Sequence, residues 1–438
     1  MTNIKRANQA HAYRMLQCLT VAIRPLRVAE LAELLAFDFD VAEGSIPKLK
    51  PNWRLEDHEQ AILSTCSSLV TFVPSYGSPV VQFSHFSVKE FLMSDRLASS
   101  RSDISRYHIS LEDAHTLLTR ASLAVLLRDP DVSSHSNSAP LAGYAAKHWM
   151  AHAQVKNVAS LVRDGMRCLF DPDKPYFEAW VQLHNIDHFF YSSIPPDPEP
   201  GARPLYNAAR YGFHDVVEYL TFKYPQCASA RGGKCGSALH SASFEGHLQV
   251  VCYLLWHGVD VNIRNTENST SLLLASGQGH RDVVQCLLDH GADLDLQDKW
   301  HNSPLMLASG YGRVDTVRLL LEHNADANSE DLEGRTALHN AIQSQQRRTN
   351  ADRLQIVRLL LKHGGNVNAR DRKHQTPLHL VSKRPDILDV LRILLEHGAD
   401  LDAEDKDGKT PLQLSLEKEH HEVTQLLTEY STTKSMLR

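Results

Sequence analysis

The sequence has few of the features that mark a secreted, membrane-spanning or nucleic-acid-binding protein. Its 438 residues contain no apolar run near the roughly 20 residues that a membrane-spanning helix needs. The first residues, MTNIKRANQAHAYRMLQ, lack the apolar core of a signal peptide. A net charge of −6 gives no general attraction to nucleic acids or anionic membranes, and the seven cysteines are scattered without a CxxC pair. These absences predict a reduced, cytoplasmic protein that binds neither nucleic acid nor membrane.

Motifs for catalysis are also missing. The sequence contains no HEXXH, GxSxG or GxxxxGK[ST] string. The nearest approach to a phosphate-binding loop, Gly232-Gly-Lys-Cys235, lacks both the spacing and the Ser/Thr of that loop. Cysteine and histidine both occur, but nothing in their spacing joins a particular pair. We therefore expect no enzyme activity, no cofactor and no metal site.

What the sequence does have is one pattern repeated from about residue 201 to residue 430. Each copy is a version of xTPLHxAxxxGxxxxVxxLLxxGADxN, and the copies are spaced 34, 33, 33, 33, 40 and 34 residues apart. One leucine indexes each copy, and these are Leu205, Leu239, Leu272, Leu305, Leu338, Leu378 and Leu412. Such a period indicates a solenoid in which neighbouring units share one core.

The residues of each copy have identifiable roles. Thr376 suits the N-cap of a helix and Pro377 its first turn. Glycines such as Gly258 suit a left-handed residue after the second helix, and Asn324 is the next best choice there. We expect aspartates to open the turn into the next copy, and these are Asp298, Asp331, Asp371 and Asp405. We expect the histidines of the pattern to brace turns through hydrogen bonds, and these are His240, His339 and His379.

This pattern resembles the ankyrin repeat over about half of the chain. The resemblance implies a mostly α-helical solenoid of about seven repeats that has no chemistry of its own and binds a protein through its turn tips and concave groove. The register then gives candidate partner-binding residues, which are Phe244, Lys299, Trp300, Tyr311, Leu332, Arg372, Lys373, Lys383 and Arg384. Trp300 with Phe244 and Tyr311 predicts an aromatic groove over repeats two to four, beside a basic patch in repeat six. The alternative is that these are unrelated surface residues.

The spacing of 40 residues belongs to repeat five, whose extra residues lie between its two helices, within Gln343–Arg353. The segment is polar, so we expect a tolerated surface loop or one additional helical turn. The alternative is a contact formed by Arg347 and Arg348. On the first interpretation, deletion of Gln345–Ala351 leaves the fold intact.

The first two hundred residues show no repeat. Three helical patterns precede two β-rich runs, and they are Leu16–Ile23, Val28–Ala36, Glu59–Ser68, Leu69–Val73 and Val80–Phe83. Helices followed by a β-hairpin are the order of a winged helix. Many winged helices bind DNA, but residues 13–94 contain seven Lys/Arg against nine Asp/Glu. The basic stripe of a DNA-binding face is therefore not expected.

A second resemblance covers about residues 13–160. LTVAIRPLRVAELAELLAFD, ILSTCSSLVTFV and VQFSHFSVKEFLMS are similar to the winged-helix segment that follows the nucleotide-binding core in NACHT-type STAND proteins. In that family the segment packs on the NTPase module, and fungal members often continue into ankyrin repeats. One histidine of the segment can reach the nucleotide, and His85 is the candidate here. A histidine that lies at a strand-to-helix junction is the simpler interpretation.

Two functions follow from these resemblances. The favoured one is a non-catalytic scaffold that binds a protein partner. The alternative is the regulatory and sensor portion of a NACHT/STAND switch without its own NTPase core, associated with an NTPase module. The predicted organisation is a disordered N-terminus (1–12), a winged-helix-like subdomain (13–94), a helical connector (95–191), a Pro-rich linker (192–200), ankyrin repeats (201–430) and a tail (431–438).

Overall fold

The computed structural model describes residues 9–41, 45–49, 62, 69–75, 78–100, 103–128, 139–184, 202–233, 235–343 and 349–436. These ranges are mostly helical, as the sequence predicts. Contacts divide the chain into two units. The first is Met1–Cys227 with Gly232–Lys234, and the second is Ala228–Arg231 with Cys235–Arg438.

The N-terminal part of the first unit combines helices with small antiparallel sheets. Its elements are α1 (Gln9–Val21), β1 (Leu26–Arg27), α2 (Val28–Leu35), β2 (Phe37–Asp38), β3 (Lys48–Leu49), β4 (Val70–Val73), β5 (Val80–Phe83), α3 (Phe86–Leu92) and α4 (Asp95–Ala98). β4 and β5 form the predicted hairpin, and β1 pairs with β5 to give the order β1-β5-β4. The winged-helix order is confirmed for these elements. Within the third helical pattern, Glu59–Ser68, the structure describes Ile62, which is helical and buried.

The start of α1 corrects one expectation. The sequence predicts disorder over residues 1–12, but α1 begins at Gln9. Ala12, Met15 and Leu16 are spaced as i, i+3 and i+4, and all three are fully buried. Their burial stabilises the first turns of the helix, because most helical stability in proteins comes from packing of one apolar face.

The rest of the first unit is helical. It contains a short 3₁₀ turn at Asp103–Tyr107 and the connector helices α5 (Leu111–Leu126), α6 (Ala142–Ala153), α7 (Val158–Leu161), α8 (Arg163–Phe170) and α9 (Tyr176–His184). The two helices of the first repeat, α10 (Ala202–Arg210) and α11 (His214–Lys223), belong to the same unit. The predicted linker, residues 192–200, lies outside the described residues.

An aromatic core joins the connector to the first repeat. Trp149 stacks on Phe213 with ring centroids 5.5 Å apart and meets Trp180 edge-on at 5.5 Å. Phe170 contacts all three of these rings, and the four side chains are buried. Aromatic pairs in such orientations contribute about 0.5–1.5 kcal/mol each beyond the apolar area that they bury. The first repeat is therefore packed firmly on the connector.

A buried carboxylate closes the same junction. Asp171 accepts hydrogen bonds from the Tyr219 and Tyr224 hydroxyls at 2.9 and 3.0 Å, and from Lys223 Nζ at 3.0 Å. Burial alone raises the pKa of Asp171, but these hydrogen bonds outweigh burial and hold the pKa below its usual range. Asp171 follows α8, and its donors lie in the second half of α11 and directly after it, so the carboxylate ties the connector to repeat one.

The second unit contains the other six repeats, each with two helices. Two short strands, β6 (Arg231–Gly233) and β7 (Gly236–Ser237), precede these repeats in the chain. Their helices are α12 (Ala238–Glu245), α13 (Leu248–Trp256), α14 (Ser271–Gln278), α15 (Arg281–Asp289), α16 (Pro304–Tyr311), α17 (Val314–Glu322), α18 (Ala337–Gln343), α19 (Asn350–Lys362), α20 (Pro377–Ser382), α21 (Leu388–Glu396), α22 (Pro411–Glu417) and α23 (His421–Met436). The index leucines of repeats two to six are buried, whereas Leu412 of the last repeat is half-buried. This difference fits a terminal repeat with a solvated outer face.

The helix ends confirm the roles inferred from the sequence. Thr376 is the N-cap of α20, and Pro377 is the first residue of that helix. Gly258 adopts a φ of 80° after α13, and Asn324 adopts a φ of 65° at the same place after α17. This left-handed conformation is open to glycine and tolerated by asparagine, which explains the choice of residues.

The pattern histidines brace the repeats, as predicted. His240 accepts a hydrogen bond at Nδ1 from the Ser237 amide, 3.2 Å away, and its Nε2 donates to the Ser269 carbonyl at 3.0 Å. His339 and His379 make the equivalent hydrogen bonds to their own N-cap amide and to the next repeat. Each ring nitrogen is therefore occupied in the folded repeat.

A buried side-chain oxygen fixes the turn that follows each of repeats two to six. Asp298 Oδ1 accepts the main-chain amides of Trp300 at 2.9 Å and Asn302 at 2.8 Å, and the Asp298 side chain is buried. The same two hydrogen bonds, to the amides two and four residues later, recur at Asn265, Asp331, Asp371 and Asp405. The residue two positions after each aspartate is thereby held at the tip of the turn.

Repeat five contains the additional helical turn. α19 has 13 residues, whereas α13, α15, α17 and α21 each have 9. Thr349 is its N-cap, and the buried Arg353 donates to Asn350 Oδ1 at 3.1 Å. The deletion of Gln345–Ala351 would remove this cap and this acceptor, so at its C-terminal end we now expect it to cost stability. Arg347 and Arg348 lie outside the described residues.

We expect His240→Gln to make the repeats less sensitive to acid. Burial lowers the pKa of His240 from 6.5 to about 4, so below pH 6.5 the unfolded chain binds a proton that the folded chain excludes. Neutral His240 makes its full contribution to the free energy of unfolding above pH 6.5. That free energy falls by up to about 3 kcal/mol as the pH approaches 4. Glutamine is compatible with this place, because Gln413 Oε1 accepts the Thr410 amide in repeat seven at 2.8 Å.

Urea unfolding at about pH 7.5 and about pH 4.5 measures this effect. The variant should be about 1 kcal/mol less stable at the higher pH, because it loses the bond to the Ser269 carbonyl. Its further loss on acidification should be smaller than that of the native protein. His257→Gln changes an exposed histidine of the same repeat and serves as the control. Equal acid losses in native and His240→Gln proteins would contradict the assignment.

We expect Asp298→Ala to lower the free energy of unfolding by about 2–4 kcal/mol, because two turn amides lose their shared acceptor. Asp298→Asn is the matched control, since Asn265 makes the same two bonds in the preceding turn. Its cost should stay below about 1 kcal/mol. Urea unfolding gives the stabilities, and hydrogen exchange at the Trp300 amide reports the turn itself. Stability and Trp300 amide exchange in Asp298→Ala that match those of the native protein would show that the Asp298 side chain does not organise this turn.

Candidate functional site

The turn tips of repeats three to seven form one connected edge. A main-chain amide of each turn donates to a carbonyl of the turn before it, at distances of 2.7–3.1 Å. The bonded pairs, in chain order, are Lys299 with Glu267, Leu332 with Trp300, Arg372 with Glu333, and Lys406 with Lys373. We call these eight residues the tip edge. Because its main chain is hydrogen-bonded from turn to turn, the side chains on it have fixed points of attachment.

Trp300 is the most prominent apolar residue of the tip edge. Its side chain is 51% exposed. Lys299 Nζ lies 4.4 Å from the centroid of the Trp300 ring and forms an ion pair with Glu267. Lys299 therefore extends the surface of the tryptophan, and its charge is paired with a neighbouring exposed carboxylate. Leu332, which the main chain places beside Trp300, is also exposed.

The other two aromatic candidates lie at the ends of first helices. Tyr311 is exposed at the end of α16 and lies over Gly277, where a Cβ would meet its ring at 3.6 Å. Phe244 is half-buried near the end of α12, and its carbonyl accepts a hydrogen bond from His280 Nε2 at 3.0 Å. No ring contact joins any two of Phe244, Trp300 and Tyr311, all of which are described. The apolar surface of the tip edge therefore consists of Trp300 and Leu332.

The basic candidates of repeat six differ in their surroundings. Arg372 and Lys373 are exposed on the tip edge. Arg384 donates to the Ile342 carbonyl at 2.9 Å and to Asp386 Oδ2 at 2.9 Å, so it braces repeat six against repeat five. A guanidinium held by these bonds is less available to a partner than the sequence register suggests.

Lys383 has the most unusual environment of the basic candidates. It is half-buried, and burial lowers the pKa of its ammonium. The nearby charges of Lys373 and Lys418 lower this pKa further, while Asp405 and Asp371 raise it. Lys418 was missed by the sequence reasoning. Its position six residues after the index leucine of repeat seven is the same one that selects Tyr311 in repeat four.

Some described residues could in principle ligate a metal ion, but they already have other interactions. Among the described residues, His214, Asp215 and Glu218 of repeat one have ligand atoms within 4.8 Å of one another. Arg163 Nε lies 3.2 Å from Asp215 Oδ2 and already neutralises that carboxylate. The pattern histidines are not ligands either, because both nitrogens of each ring are engaged in the hydrogen bonds described above.

The winged-helix subdomain exposes an apolar surface of its own. Phe86 is 70% exposed at the start of α3, and Phe91 and Ile23 are exposed as well. Ile23 and Phe86 border a groove of about 380 Å³ that is also lined by Leu26 and Val81. Within α3 the side chain of Leu92 is the buried one, so most of this helix faces outward.

His85 is the N-cap of α3. Its Nδ1 accepts the Ser87 amide at 3.2 Å and lies 2.7 Å from Ser87 Oγ. This geometry matches the simpler interpretation, a histidine at a strand-to-helix junction. Within the described ranges, every helix is too short or too polar to cross a bilayer.

Comparison with known proteins finds matches to the repeat region and to the N-terminal region. The family model for ankyrin repeats matches three times, at residues 181–265, 272–371 and 348–436. The model described as the winged helix domain of GPI inositol-deacylase matches residues 1–103. The second match agrees with the NACHT-associated resemblance of the N-terminal segment.

Two similar proteins come from unrelated organisms. Azaphilone pigments biosynthesis cluster protein L of Monascus ruber is 28% identical over 271 residues, which are 57% of this chain and 55% of that protein. Alpha-latrocrustotoxin-Lt1a of Latrodectus tredecimguttatus is 35% identical over 68 residues, which are 16% of this chain and 5% of the toxin. The chain thus spans about half the length of the first of these relatives.

Among solved structures, the ankyrin repeat domain of Bcl-3 is similar, with 29% sequence identity and a TM-score of 0.43. The likeness covers 48% of this chain and 92% of that domain. The three matches to the ankyrin-repeat model together span more than half of the sequence and show the family. With its repeated helix pairs and turns, the chain belongs to the ankyrin-repeat family.

Proposed function

We propose that this protein is a non-catalytic scaffold that binds a protein partner along the tip edge, with Trp300 and Leu332 as the apolar anchor. One observation carries the proposal: half of the Trp300 side chain is exposed on a main chain that is held on both sides. Asp298 accepts the Trp300 amide, and the Trp300 carbonyl accepts the Leu332 amide. Such preorganisation reduces the entropy lost on binding.

The chemistry of the anchor also favours a protein partner. Tryptophan is enriched among the residues that dominate protein interfaces, because it buries a large area at a small cost in side-chain entropy. Lys299 lies against the ring and is paired with Glu267, so the anchor has an apolar centre and a polar border. This arrangement resembles a typical interface, in which polar residues surround an apolar core.

We expect Trp300→Ala to reduce partner capture by about 30-fold, because central interface residues contribute about 2 kcal/mol or more. The full chain, carrying an affinity tag, is used as bait in cells that make it naturally. Captured proteins are then quantified by mass spectrometry.

Trp256→Ala is the matched control for this experiment. Trp256 is 83% exposed at the end of α13, away from the tip edge. A partner that is retained by Trp256→Ala and lost by Trp300→Ala supports the proposal. A partner that is lost by Trp256→Ala and retained by Trp300→Ala places the interface elsewhere and refutes it.

A second candidate function is favoured by the winged-helix surface. We propose, as the alternative, that this domain docks on an NTPase module supplied by another polypeptide. The exposed Phe86 and Ile23 border the groove described above, and aromatic side chains beside a groove are common at protein interfaces. A regulatory and sensor role in a NACHT/STAND switch follows from this docking.

Site-specific crosslinking tests the alternative. A photoreactive phenylalanine analogue placed at position 86 should crosslink to a chain that contains a GxxxxGK[ST] loop. The same analogue at position 222 is the control, because Phe222 is 88% exposed on repeat one. If position 86 yields no such chain, or if both positions yield it equally, docking through the winged-helix groove is excluded.

A further inference from the structure

Two histidines of the connector lie ring against ring where α5 packs on α6. The Nδ1 atoms of His115 and His152 are 2.8 Å apart, and their ring centroids are 5.0 Å apart. His152 is fully buried and His115 is half-buried. At this distance the two nitrogens share one proton, so one ring donates a hydrogen bond and the other accepts it. Among the described residues, no carboxylate forms an ion pair with either ring.

Tyr144 extends this pair into a chain of hydrogen bonds that ends in the winged-helix subdomain. His152 Nε2 lies 2.8 Å from the Tyr144 hydroxyl oxygen, and the same oxygen accepts the Ile23 amide at 3.2 Å. Since Tyr144 accepts from Ile23, its own proton is available to donate to His152 Nε2. His152 then carries its proton on Nδ1 and donates to His115. We call His115, His152 and Tyr144 the histidine chain.

The surroundings of the histidine chain favour neutral rings. Burial lowers the pKa of His115, and burial together with His115 and His148 lowers the pKa of His152 to about 3. The charged and titratable groups that face the chain from α1, the turn after it, α2 and α6 are Cys18, Arg24, Glu30, Lys147 and His148. Glu30, the carboxylate in this set, is already paired with Arg24 at 2.6 Å. The helices α7, α8 and α9 also contact α5 or α6, but none of their described charged groups acts on the pKa of either histidine.

Protonation of the half-buried ring would force the chain to reverse. A proton added to His115 Nδ1 would face the proton on His152 Nδ1, and a hydrogen bond of 2.8 Å has room for only one of them. His152 must then accept at Nδ1 and donate from Nε2. The Tyr144 hydroxyl would receive hydrogen bonds from both His152 and the Ile23 amide, and its own proton would lose its acceptor in a buried site. A proton at His115 therefore weakens the bond that holds Ile23.

The far end of the histidine chain is a wall of the winged-helix groove. Ile23 and Arg24 line that groove together with Phe86. In addition to the amide bond from Ile23, the Arg24 guanidinium lies 5.1 Å from the centroid of the Tyr144 ring. One tyrosine side chain therefore holds two consecutive residues of the wall, and a displacement of Tyr144 changes the shape of the groove there.

We propose that the histidine chain is a proton-controlled latch, which fixes the Ile23 wall of the winged-helix groove at neutral pH and releases it in mild acid. This inference depends neither on the scaffold function nor on docking of an NTPase module. In the released state the rings regain water and bind protons with the ordinary histidine pKa of 6.5. Since the pKa of His152 is lowered in the latched state, the latch is complete above pH 6.5 and weakens as the pH falls from 6.5 towards about 3.

Hydrogen exchange at the Ile23 amide of the full chain tests the latch, because this amide donates to Tyr144. Mass spectrometry with electron-transfer fragmentation resolves the exchange of single residues. A histidine that takes up a proton only in the released state favours release about 30-fold at about pH 5 relative to about pH 7.5. We expect the protection factor of Ile23, corrected for the intrinsic effect of pH on exchange, to fall about tenfold to 30-fold between these pH values. Amides in the interior of α5 and α6 should keep their protection.

The double variant His115→Gln/His152→Gln should reduce this fall to about twofold or less, because glutamine keeps a donor and an acceptor but does not titrate. Tyr144→Phe tests the latch separately if the double variant fails to fold. It removes the acceptor of the Ile23 amide, so protection of this amide should be low at both pH values and independent of pH. The matched control is His108→Gln, which changes a half-buried histidine of the same unit outside the histidine chain and should keep the native pH dependence.

Any of four results would overturn the inference. The first is equal protection of Ile23 at both pH values in the native protein. The second is native pH dependence in the double variant or in Tyr144→Phe. The third is loss of that dependence in His108→Gln. The fourth is a loss of protection in the interior of α5 and α6 as large as that at Ile23, because the subdomain and the connector would then unfold as a whole.

Discussion

The buried side-chain oxygen of each turn is the interaction on which the rest of the repeat surface depends. In five successive turns one oxygen, from Asn265 or from an aspartate such as Asp298, accepts the amides two and four residues later. A buried carboxylate must find donors, and main-chain amides in a turn must find acceptors. The side-chain oxygen and the turn amides therefore satisfy each other's hydrogen bonds. The side chain at the tip of the turn is not needed for them. The tip edge therefore has a fixed backbone before any partner approaches, and the proposed anchor of Trp300 and Leu332 uses residues that this backbone places.

The repeat region was largely predictable because the same physical requirement recurs at a fixed spacing. Each repeat needs a cap where its first helix begins, a glycine after its second helix and an aspartate in the turn that follows. The sequence shows these residues at set places. Pairing between side chains of adjacent repeats was not predictable in the same way. The register placed Lys299 and Arg384 on the binding face, but it did not show that Glu267 or Asp386 would engage them. Such ion pairs depend on the rotamers of the two side chains, and rotamers produce no periodic pattern in the sequence.

The winged-helix half illustrates a different limit of sequence reasoning. The hairpin was evident from its β-branched residues, whereas the start of α1 was hidden because its first turns mix polar residues with Ala12. Contacts between distant segments were less accessible still. Trp149 and Phe213 are far apart in sequence, and no local pattern indicates that they stack. That contact, with the hydrogen bonds of Asp171, groups the first repeat with the connector, whereas the repeat pattern alone assigns it to the solenoid.

In each turn the main chain of the tip residue stabilises the fold, whereas its side chain is available for binding. The residues two positions after the recurring acceptor are Glu267, Trp300, Glu333, Lys373 and Asp407. Their side chains are acidic, basic and aromatic, although the turn hydrogen bonds are the same. Each of them contributes its amide to the turn and leaves its side chain uncommitted to the helices. Evolution can therefore exchange these side chains one at a time at little cost in stability. A lineage can acquire a new binding preference through single substitutions while the scaffold beneath stays the same.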